Sequence, residues 1–338
     1  FYITAASSRR YRAEGPKMTL PISVSLMPAG PVADIVDLAV LAEDLGLARC
    51  WVYDEGLVTR DVYITLTAIA ARTQRIPLGP GITNPFVRHP GATAAAIASL
   101  DEFSGGRAFV GLGAGGGLTL DPMAIERPRP VAAVSDMVNC LRRLFAGERV
   151  DHDGHAFSFR NAKLDYARPD IEIILAGRGP KMTALGSAVA DGFNLTYIHK
   201  DLLGPHARSL RQACGDRPFR ITYSTMIALT DEEHEAARAQ LTFRLVDSPT
   251  EVKELIGMTP SDVANVRAAL AEGGPSAAAR HINPDWVSAF VISGTAEDCA
   301  AELHALMSDN DIDEFQLPVL DIQGAAQFIE RSAEMFRP

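Results

Sequence analysis

Apolar residues along this chain fall into two alternating patterns. Short continuous apolar runs, such as residues 22–27, are followed by longer segments, such as residues 35–45, in which apolar side chains recur every three or four positions. The first pattern is typical of strands buried on both faces, and the second of helices with one apolar face. Gly46 directly follows the first of these helical segments and is expected to end it.

This alternation is repeated along the chain. The predicted strands are residues 22–27, 49–53, 76–83, 108–113, 171–176, 193–198, 220–229 and 315–320. The predicted helices are residues 35–45, 62–71, 91–103, 131–145, 181–190, 202–213 and 324–335. Buried strands that alternate with helices in this number predict an α/β fold, a (β/α)8 TIM barrel with parallel strands.

Two segments interrupt the repeat. Residues 150–166 alternate between polar and apolar positions around an Asp-Gly pair, which predicts a β-hairpin insertion. Residues 230–304 are too long for one crossover helix, so they predict a small helical insertion before the last strand. Within it, Thr295 and Asp298 have the spacing of a capping box at the start of a helix.

We expect residues 18–338 to form one barrel domain that contains both insertions. Residues 1–17 contain three arginines near positions 9–12 and lack the hydrophobic segment of a signal peptide. We expect them to be a poorly ordered extension of that domain.

Composition narrows the class of partner. The chain has 47% hydrophobic and 22% charged residues, as soluble globular proteins do, and no apolar run approaches the roughly 20 residues of a membrane span. A formal net charge of −10 argues against nucleic acid or an anionic membrane as a partner. Four scattered cysteines favour reduced thiols in a cytoplasmic enzyme, and the histidines lack metal-ligand spacing. The remaining partner is a small-molecule substrate.

A barrel of this kind binds ligands at the carboxyl ends of its strands. The third strand is the most informative, because its apolar run breaks off into Thr83 and Asn84 and is then stopped by Pro85 and Pro90. Polar residues between a strand and a helix are typical of ligand sites in α/β proteins. The alternative is an ordinary strand-to-helix connection in which proline only ends the strand.

The fifth strand ends in a glycine-rich turn, residues 176–181, that opens a helix. Free amides at a helix N-terminus, together with the cations of Arg178 and Lys181, are the type of site that binds phosphate. A plain turn that uses glycine for its geometry is the alternative. The glycine-rich residues 113–117 lack the Lys-Ser/Thr pair of a Walker loop, so they leave room for a flat ligand or form a flexible loop.

Asp54 and Glu55 follow the second strand and are the candidates for proton transfer. Adjacent residues at a strand end point in different directions, so only one of the two carboxylates is expected to act as a general acid or base. The other carboxylate would then be a solvent-exposed residue at the start of a helix.

The order and spacing of several short motifs resemble those of the bacterial luciferase-like monooxygenase superfamily. Within it, the chain looks most like the coenzyme F420-dependent methylenetetrahydromethanopterin reductase branch, from Met18 to Pro338. The matching positions are residues 41–46, Asp54 with Arg60, residues 78–85, Arg88, residues 99–102, 105–107, 111–113, 176–177, 179–182, 191–192 and 293–295.

The resemblance implies a TIM barrel that binds the deazaflavin of coenzyme F420, with FMN as the alternative cofactor. It also implies a homodimer, and a cis peptide bond between Gly81 and Ile82 in a bulge that supports the ring. The cofactor-binding residues that it implies are Asp54, Gly81, Ile82, Thr83, Asn84, Gly113, Ala114, Ala176, Gly177, Arg178, Gly179, Pro180 and Lys181. Among them, the turn at residues 177–181 would take the cofactor phosphate.

The chain departs from this branch at positions that handle substrate. Ser25 stands where the methanopterin reductases have a Glu in the first strand, and Glu55 stands where they have a His. Residues 113–117 also lack the Glu that sugar-phosphate dehydrogenases of the superfamily carry after the fourth strand. We therefore expect the cofactor to be shared and do not carry over the pterin substrate.

The resulting hypothesis is an F420-dependent oxidoreductase that transfers a hydride between the deazaflavin and an unidentified organic substrate. Glu55 and Asp54 are its candidate catalytic residues. An FMN-dependent monooxygenase is the second hypothesis, because a deazaflavin lacks the nitrogen that forms the oxygen-reactive adduct. A non-catalytic flavin-binding barrel is the third, favoured by Ser25 and the small residues at 113–117.

Overall fold

The computed structural model describes residues 18–337, and the predicted extension at residues 1–17 lies outside them. The strands are β1 (Ile22–Leu26), β2 (Cys50–Val52), β3 (Leu78–Pro80), β4 (Phe109–Leu112), β5 (Val150–Asp153), β6 (Ser158–Ala162), β7 (Glu172–Gly177), β8 (Gly192–Thr196), β9 (Arg220–Ser224), β10 (Ile227–Ala228), β11 (Ile292–Ser293) and β12 (Glu314–Val319). The helices are α1 (Val32–Asp44), α2 (Val62–Arg72), α3 (Pro90–Ser104), α4 (Gly117–Leu120), α5 (Pro130–Phe145), α6 (Pro180–Val189), α7 (Lys200–Cys214), α8 (Asp231–Val246), α9 (Thr250–Leu255), α10 (Pro260–Ala278), α11 (Pro284–Ser288), α12 (Ala296–Asp309) and α13 (Ala325–Glu334).

Eight strands form one parallel sheet in the order β3-β2-β1-β12-β9-β8-β7-β4. Bridges from Leu78 to Ala108 and from Thr83 to Leu112 join β3 to β4, so the sheet closes into a barrel. Helices follow the strands and bury their apolar faces against the outside of this barrel. The predicted (β/α)8 TIM barrel is confirmed.

The predicted seventh strand, residues 220–229, is wrong in its extent. Only β9 joins the barrel, and β10 leaves it to pair in parallel with β11 in a separate two-stranded sheet. At the break, the hydroxyl of Thr225 donates a hydrogen bond to the carbonyl of Phe290 in the helical insertion. The residues on both sides of the break are buried, so the hydrophobic pattern does not mark it.

Both predicted insertions are present. Strands β5 and β6 pair antiparallel as a hairpin, and helices α8 to α11 have an apolar cluster of their own that includes Leu241, Trp286 and Phe290. The capping box of Thr295 and Asp298 is confirmed at the start of α12. The assignment of residues 18–338 to one domain stays a prediction.

Aromatic side chains fill part of the barrel interior. Trp51 and Phe109 meet edge to face, with ring centroids 4.5 Å apart, and both pack against Ile174. An added Cβ at Gly79 would lie 2.3 Å from the carbonyl oxygen of Phe109, and one at Gly81 would lie 2.7 Å from Cβ of Trp51. Glycine at these two positions therefore makes room for the aromatic core.

Charged side chains close the amino ends of the strands, opposite the predicted site. Arg49 pairs with Glu172 and, at 3.2 Å, with Glu314, and Arg220 pairs with both carboxylates. Glu314 is fully buried, which raises the pKa of its carboxyl, and the charge of Arg49 opposes this effect. The cluster is a buried structural network rather than part of the ligand site.

Within residues 18–337, none of the helices combines the length and the apolar sequence needed to cross a membrane. The same part of the chain contains no cluster of His, Cys, Asp and Glu side chains suited to hold a metal ion. Its cysteines, Cys50, Cys140, Cys214 and Cys299, are free thiols.

Candidate active site at the carboxyl ends of the strands

A cavity of about 860 Å³ opens at the carboxyl ends of the barrel strands. This volume is in the range of sites that hold cofactors and drug-sized ligands. Residues at or after the ends of β1, β2, β3, β4, β7, β8 and β12 form its wall, together with helix α8 of the insertion. The predicted site residues in this wall are Asp54, Glu55, Ile82, Asn84, Ala114, Ala176, Gly177, Arg178, Gly179, Pro180 and Lys181.

The other predicted residues, Gly81, Thr83 and Gly113, support this wall without lining the cavity. The peptide bond between Gly81 and Ile82 is cis, as the resemblance implied. A Cβ at Gly113 would lie 2.3 Å from Cδ1 of Ile82, so the absent side chain leaves room for Ile82. Thr83 is fully buried and donates from its hydroxyl to a carboxylate oxygen of Asp54, at 2.6 Å.

Asp54 and Glu55 form the acidic end of the cavity. Burial raises the pKa of both carboxyl groups above their ordinary values. The hydrogen bond from Thr83 opposes this effect on Asp54, and a hydrogen bond from the Thr119 hydroxyl opposes it on Glu55. The charge of Asp54 raises the pKa of Glu55 further. A carboxyl that keeps its proton closer to neutral pH is suited to general acid or base catalysis.

Tyr53 lines the same end of the cavity, and sequence reasoning missed it. Burial raises the pKa of its phenol, so Tyr53 stays neutral and can donate a hydrogen bond. Ser25 lies beside it and is fully buried. Tyr53 ends an apolar run in the sequence, where nothing separates a ligand-facing tyrosine from a core one.

The turn at residues 177–181 forms the basic end of the cavity. Helix α6 begins at Pro180, and its N-cap residue, Gly179, has no side chain to cap the first amides. A Cβ on Gly179 would meet no atom within 4 Å, so the backbone here is open to the cavity. Lys181 is exposed in the first turn of α6. Uncapped amides beside a cation are the features of an anion site.

Arg178 makes a contact that the sequence did not predict. Its Nη1 donates a hydrogen bond to the main-chain carbonyl of Arg244, at 2.9 Å. Burial lowers the pKa of Arg178, the charge of Arg244 lowers it further, and the charge of Asp247 opposes both effects. Arg178 therefore ties the turn to helix α8.

Helix α8 supplies cavity residues that sequence reasoning missed. Gln240, Phe243, Arg244 and Asp247 line the cavity, and their spacing of three, four and seven places them on one face of the helix. In the sequence, this spacing shows that the four residues share a helix face. It does not show which part of the protein that face contacts. The Arg244 guanidinium lies over the ring of Tyr197, 3.9 Å from its centroid.

Residues 113–117 lead from β4 into the short helix α4. Gly117 begins helix α4, which carries the Thr119 hydroxyl to Glu55. Gly115 has a φ of 71°, which glycine adopts without strain. Gly116 lines the cavity, where an added Cβ would meet no atom within 4 Å. The room for a ligand that the small residues predicted is present along this segment.

A family profile described as "Luciferase-like monooxygenase" matches residues 17–310. The chain belongs to the luciferase-like monooxygenase family. Among curated members, it is similar to the 5,10-methylenetetrahydromethanopterin reductase of Methanolobus tindarius, with 33% identity over 298 residues, or 85% of this chain and 91% of that protein. It is also similar to an F420-dependent glucose-6-phosphate dehydrogenase of Nakamurella multipartita, with 31% identity over 234 residues, or 63% of this chain and 68% of that protein.

A solved structure supports the fold of this luciferase-like protein. The coenzyme F420-dependent tetrahydromethanopterin reductase from Methanopyrus kandleri aligns with a TM-score of 0.81 and 23% identity, over 94% of this chain and 98% of that one. The family that the motif order indicated is confirmed. The roles of the individual site residues stay predictions.

Proposed function

We propose that this luciferase-like protein is an F420-dependent oxidoreductase that transfers a hydride between the deazaflavin and an organic small molecule. The layout of one cavity carries the proposal, with the half-buried carboxyls of Asp54 and Glu55 at one end and an uncapped helix N-terminus beside Lys181 at the other. Relatives named for F420-dependent reactions share the family and the barrel.

The residues of the cavity fit a flat ring joined to a phosphate-bearing tail. The main-chain amides of Arg178, Gly179 and Lys181 and the cation of Lys181 would hold the phosphate, because such groups favour an oxyanion. Ile82, Asn84 and Ala114 would lie beside the ring, where the wall is formed by the small residues after β4 and the Gly81–Ile82 bulge.

The acidic end supplies the proton chemistry. When bound, the deazaflavin donates or accepts the hydride, and a substrate carbonyl, imine or alkene needs a proton in the same reaction. Glu55 is the group that would give or take this proton, since it lines the cavity, is half-buried and accepts a hydrogen bond from Thr119. Asp54, held by Thr83, would position the cofactor.

Cofactor titration tests the proposal. The purified protein is titrated with F420 and, separately, with FMN, and the fluorescence of each cofactor is followed. We expect saturable quenching with F420 and weaker binding of FMN. Tight binding of FMN without binding of F420 would instead support the monooxygenase hypothesis, and binding of neither cofactor would support the non-catalytic barrel.

We also infer that the protein acts as a cytoplasmic homodimer. Ile64 on α2 and Phe103 on α3 are 66% and 60% exposed, and the two helices are neighbours on the barrel surface. Covering such side chains between two copies removes apolar surface from water. The free cysteines suit a reducing compartment. Light scattering should give the mass of two chains, and a monomer mass at micromolar concentration would contradict the inference.

A further inference from the structure

Arg244 is the cation that lies between the two ends of the cavity. Its charge lowers the pKa of Glu55 at the acidic end, while Arg178 of the basic end donates to its main-chain carbonyl. The ring of Tyr197 orients its guanidinium through a cation–π contact at 3.9 Å. Within residues 18–337, no carboxylate forms an ion pair with this guanidinium.

Each of the other cations that line the cavity either contacts another group of the protein or is assigned to the cofactor phosphate. Arg178 is bound to α8 and lies near Asp247, whose charge offsets its own. Lys181 stands beside the free amides of the proposed phosphate turn. Arg127 donates from its guanidinium to the carbonyl of Gly115. The Arg244 guanidinium itself donates from Nη1 to the main-chain carbonyl of Gln240. Among the described residues its Nε and Nη2 groups have no hydrogen-bond partner, so these donors are left for a group of the substrate.

The backbone that carries the Tyr197 ring is unusual. Tyr197 follows directly after β8 and has a φ of 50°, in the left-handed region that a bulky residue rarely adopts. The residue is buried, so the surrounding structure maintains this conformation. Residues in strained backbone conformations cluster at active sites and ligand sites.

We propose that the Arg244 guanidinium binds a carboxylate of the substrate and that this contact makes the enzyme selective for carboxylate-bearing molecules. The proposal rests on the proposed function, because it assigns the cofactor phosphate to residues 177–181. A planar guanidinium presents two parallel N–H donors that match the two oxygens of a carboxylate. A doubly charged phosphate is less suited, because the carboxyls of Asp54 and Glu55 are close by.

A bound carboxylate would also act on the proton donor. In the free enzyme, burial raises the pKa of Glu55, and the charge of Arg244 opposes this effect. A carboxylate on Arg244 neutralises that charge. Binding of the substrate would therefore help Glu55 to keep the proton that the reaction needs.

Acetate and inorganic phosphate are the probes for this site. Each is titrated against the F420-saturated protein at constant ionic strength, and binding is followed by calorimetry and by the shift in Tm. We expect the wild type to bind acetate in preference to phosphate. Arg244→Gln should bind acetate roughly ten- to a hundredfold more weakly, and Arg244→Lys should lie between them. The control Arg267→Gln removes an exposed positive charge from α10 of the same insertion and should bind acetate like the wild type.

The affinity for F420 is measured separately on each variant. Loss of F420 binding in Arg244→Gln would assign Arg244 to the cofactor and overturn the proposal, as would acetate binding that is equal in wild type and Arg244→Gln. A wild type that binds no acetate, or that prefers phosphate, would overturn it too. If F420 binds no variant, the proposed function fails, and the same acetate titrations on the free protein then decide the role of Arg244.

Discussion

The guanidinium of Arg178 donates a hydrogen bond to the main-chain carbonyl of Arg244, at 2.9 Å. Arg178 belongs to the turn that opens α6, whereas Arg244 lies in α8, 66 residues further along the chain. The contact joins the proposed phosphate turn to the helix that carries the proposed substrate cation. An anion that orders the turn will therefore also order this part of α8.

The two cations of the turn should have separable effects. Lys181→Ala is expected to weaken F420 binding roughly ten- to a hundredfold, because a charge-assisted contact contributes about 1.5–3 kcal/mol. Arg178→Ala should instead speed amide hydrogen exchange in α8, because it removes the contact to Arg244. Fluorescence quenching and exchange mass spectrometry check the two outcomes. Unchanged affinity for F420 in both variants would mean that the cofactor phosphate binds elsewhere.

Much of the site was predictable because strand ends carry local signals. Asp54 follows an apolar run, Asn84 precedes two prolines, and the turn at residues 177–181 combines glycine with cations, so each is visible in a short window. The parallel barrel then brings these windows together, because all its strands end on the same face. Predicting the site therefore required both the local sequence signals and the barrel topology.

The missed residues share a different property. Arg244 lies in a helix whose sequence shows one apolar face, and no local feature says that its polar face meets a barrel opening. The same holds for Thr119, which reaches Glu55 because residues 117–120, starting at the last glycine of the run, form a helical turn. Contacts of this kind depend on how the segments between strands fold over the opening of the barrel. A hydrophobic pattern does not encode this arrangement.

Glu55→Gln should separate proton transfer from cofactor binding. Turnover is expected to fall by about 10²–10⁴, because the amide cannot exchange a proton, while the affinity for F420 stays unchanged. The measurement is the rate of oxidation of reduced F420 with a substrate that the wild type turns over. Glu272→Gln, an exposed change on α10, is the matched control. Full activity in Glu55→Gln would pass the role to Asp54 or to the substrate itself.

The ion cluster at the amino ends of the strands should matter for stability alone. Arg49→Met is expected to lower the free energy of unfolding by up to about 3–5 kcal/mol, because it removes the partner of the buried Glu314 at 3.2 Å and leaves the more exposed Arg220 as its remaining cation. Urea unfolding at neutral pH measures this loss. Adding Glu314→Gln to Arg49→Met should recover part of it. A loss below about 1 kcal/mol would show that the cluster behaves like an exposed ion pair.

The pH dependence of stability tests the environment of Glu55 without any substrate. Burial raises the pKa of Glu55 in the folded protein above its value in the unfolded chain, so the folded state binds this proton more tightly. The stability from this group is fully present below the unfolded pKa, about 4.3, and is lost as pH rises through the higher folded pKa. Glu55→Gln stays neutral, so its Tm should exceed that of the wild type at neutral pH.

This gap in Tm should shrink as the pH falls below about 4, where the wild-type carboxyl becomes protonated in both states. Thermal unfolding of both proteins across that pH range measures the gap, and Glu272→Gln reports the effect of removing an exposed carboxylate. A gap that is independent of pH, or that grows on acidification, would mean that the Glu55 carboxyl is not held in its protonated form by burial.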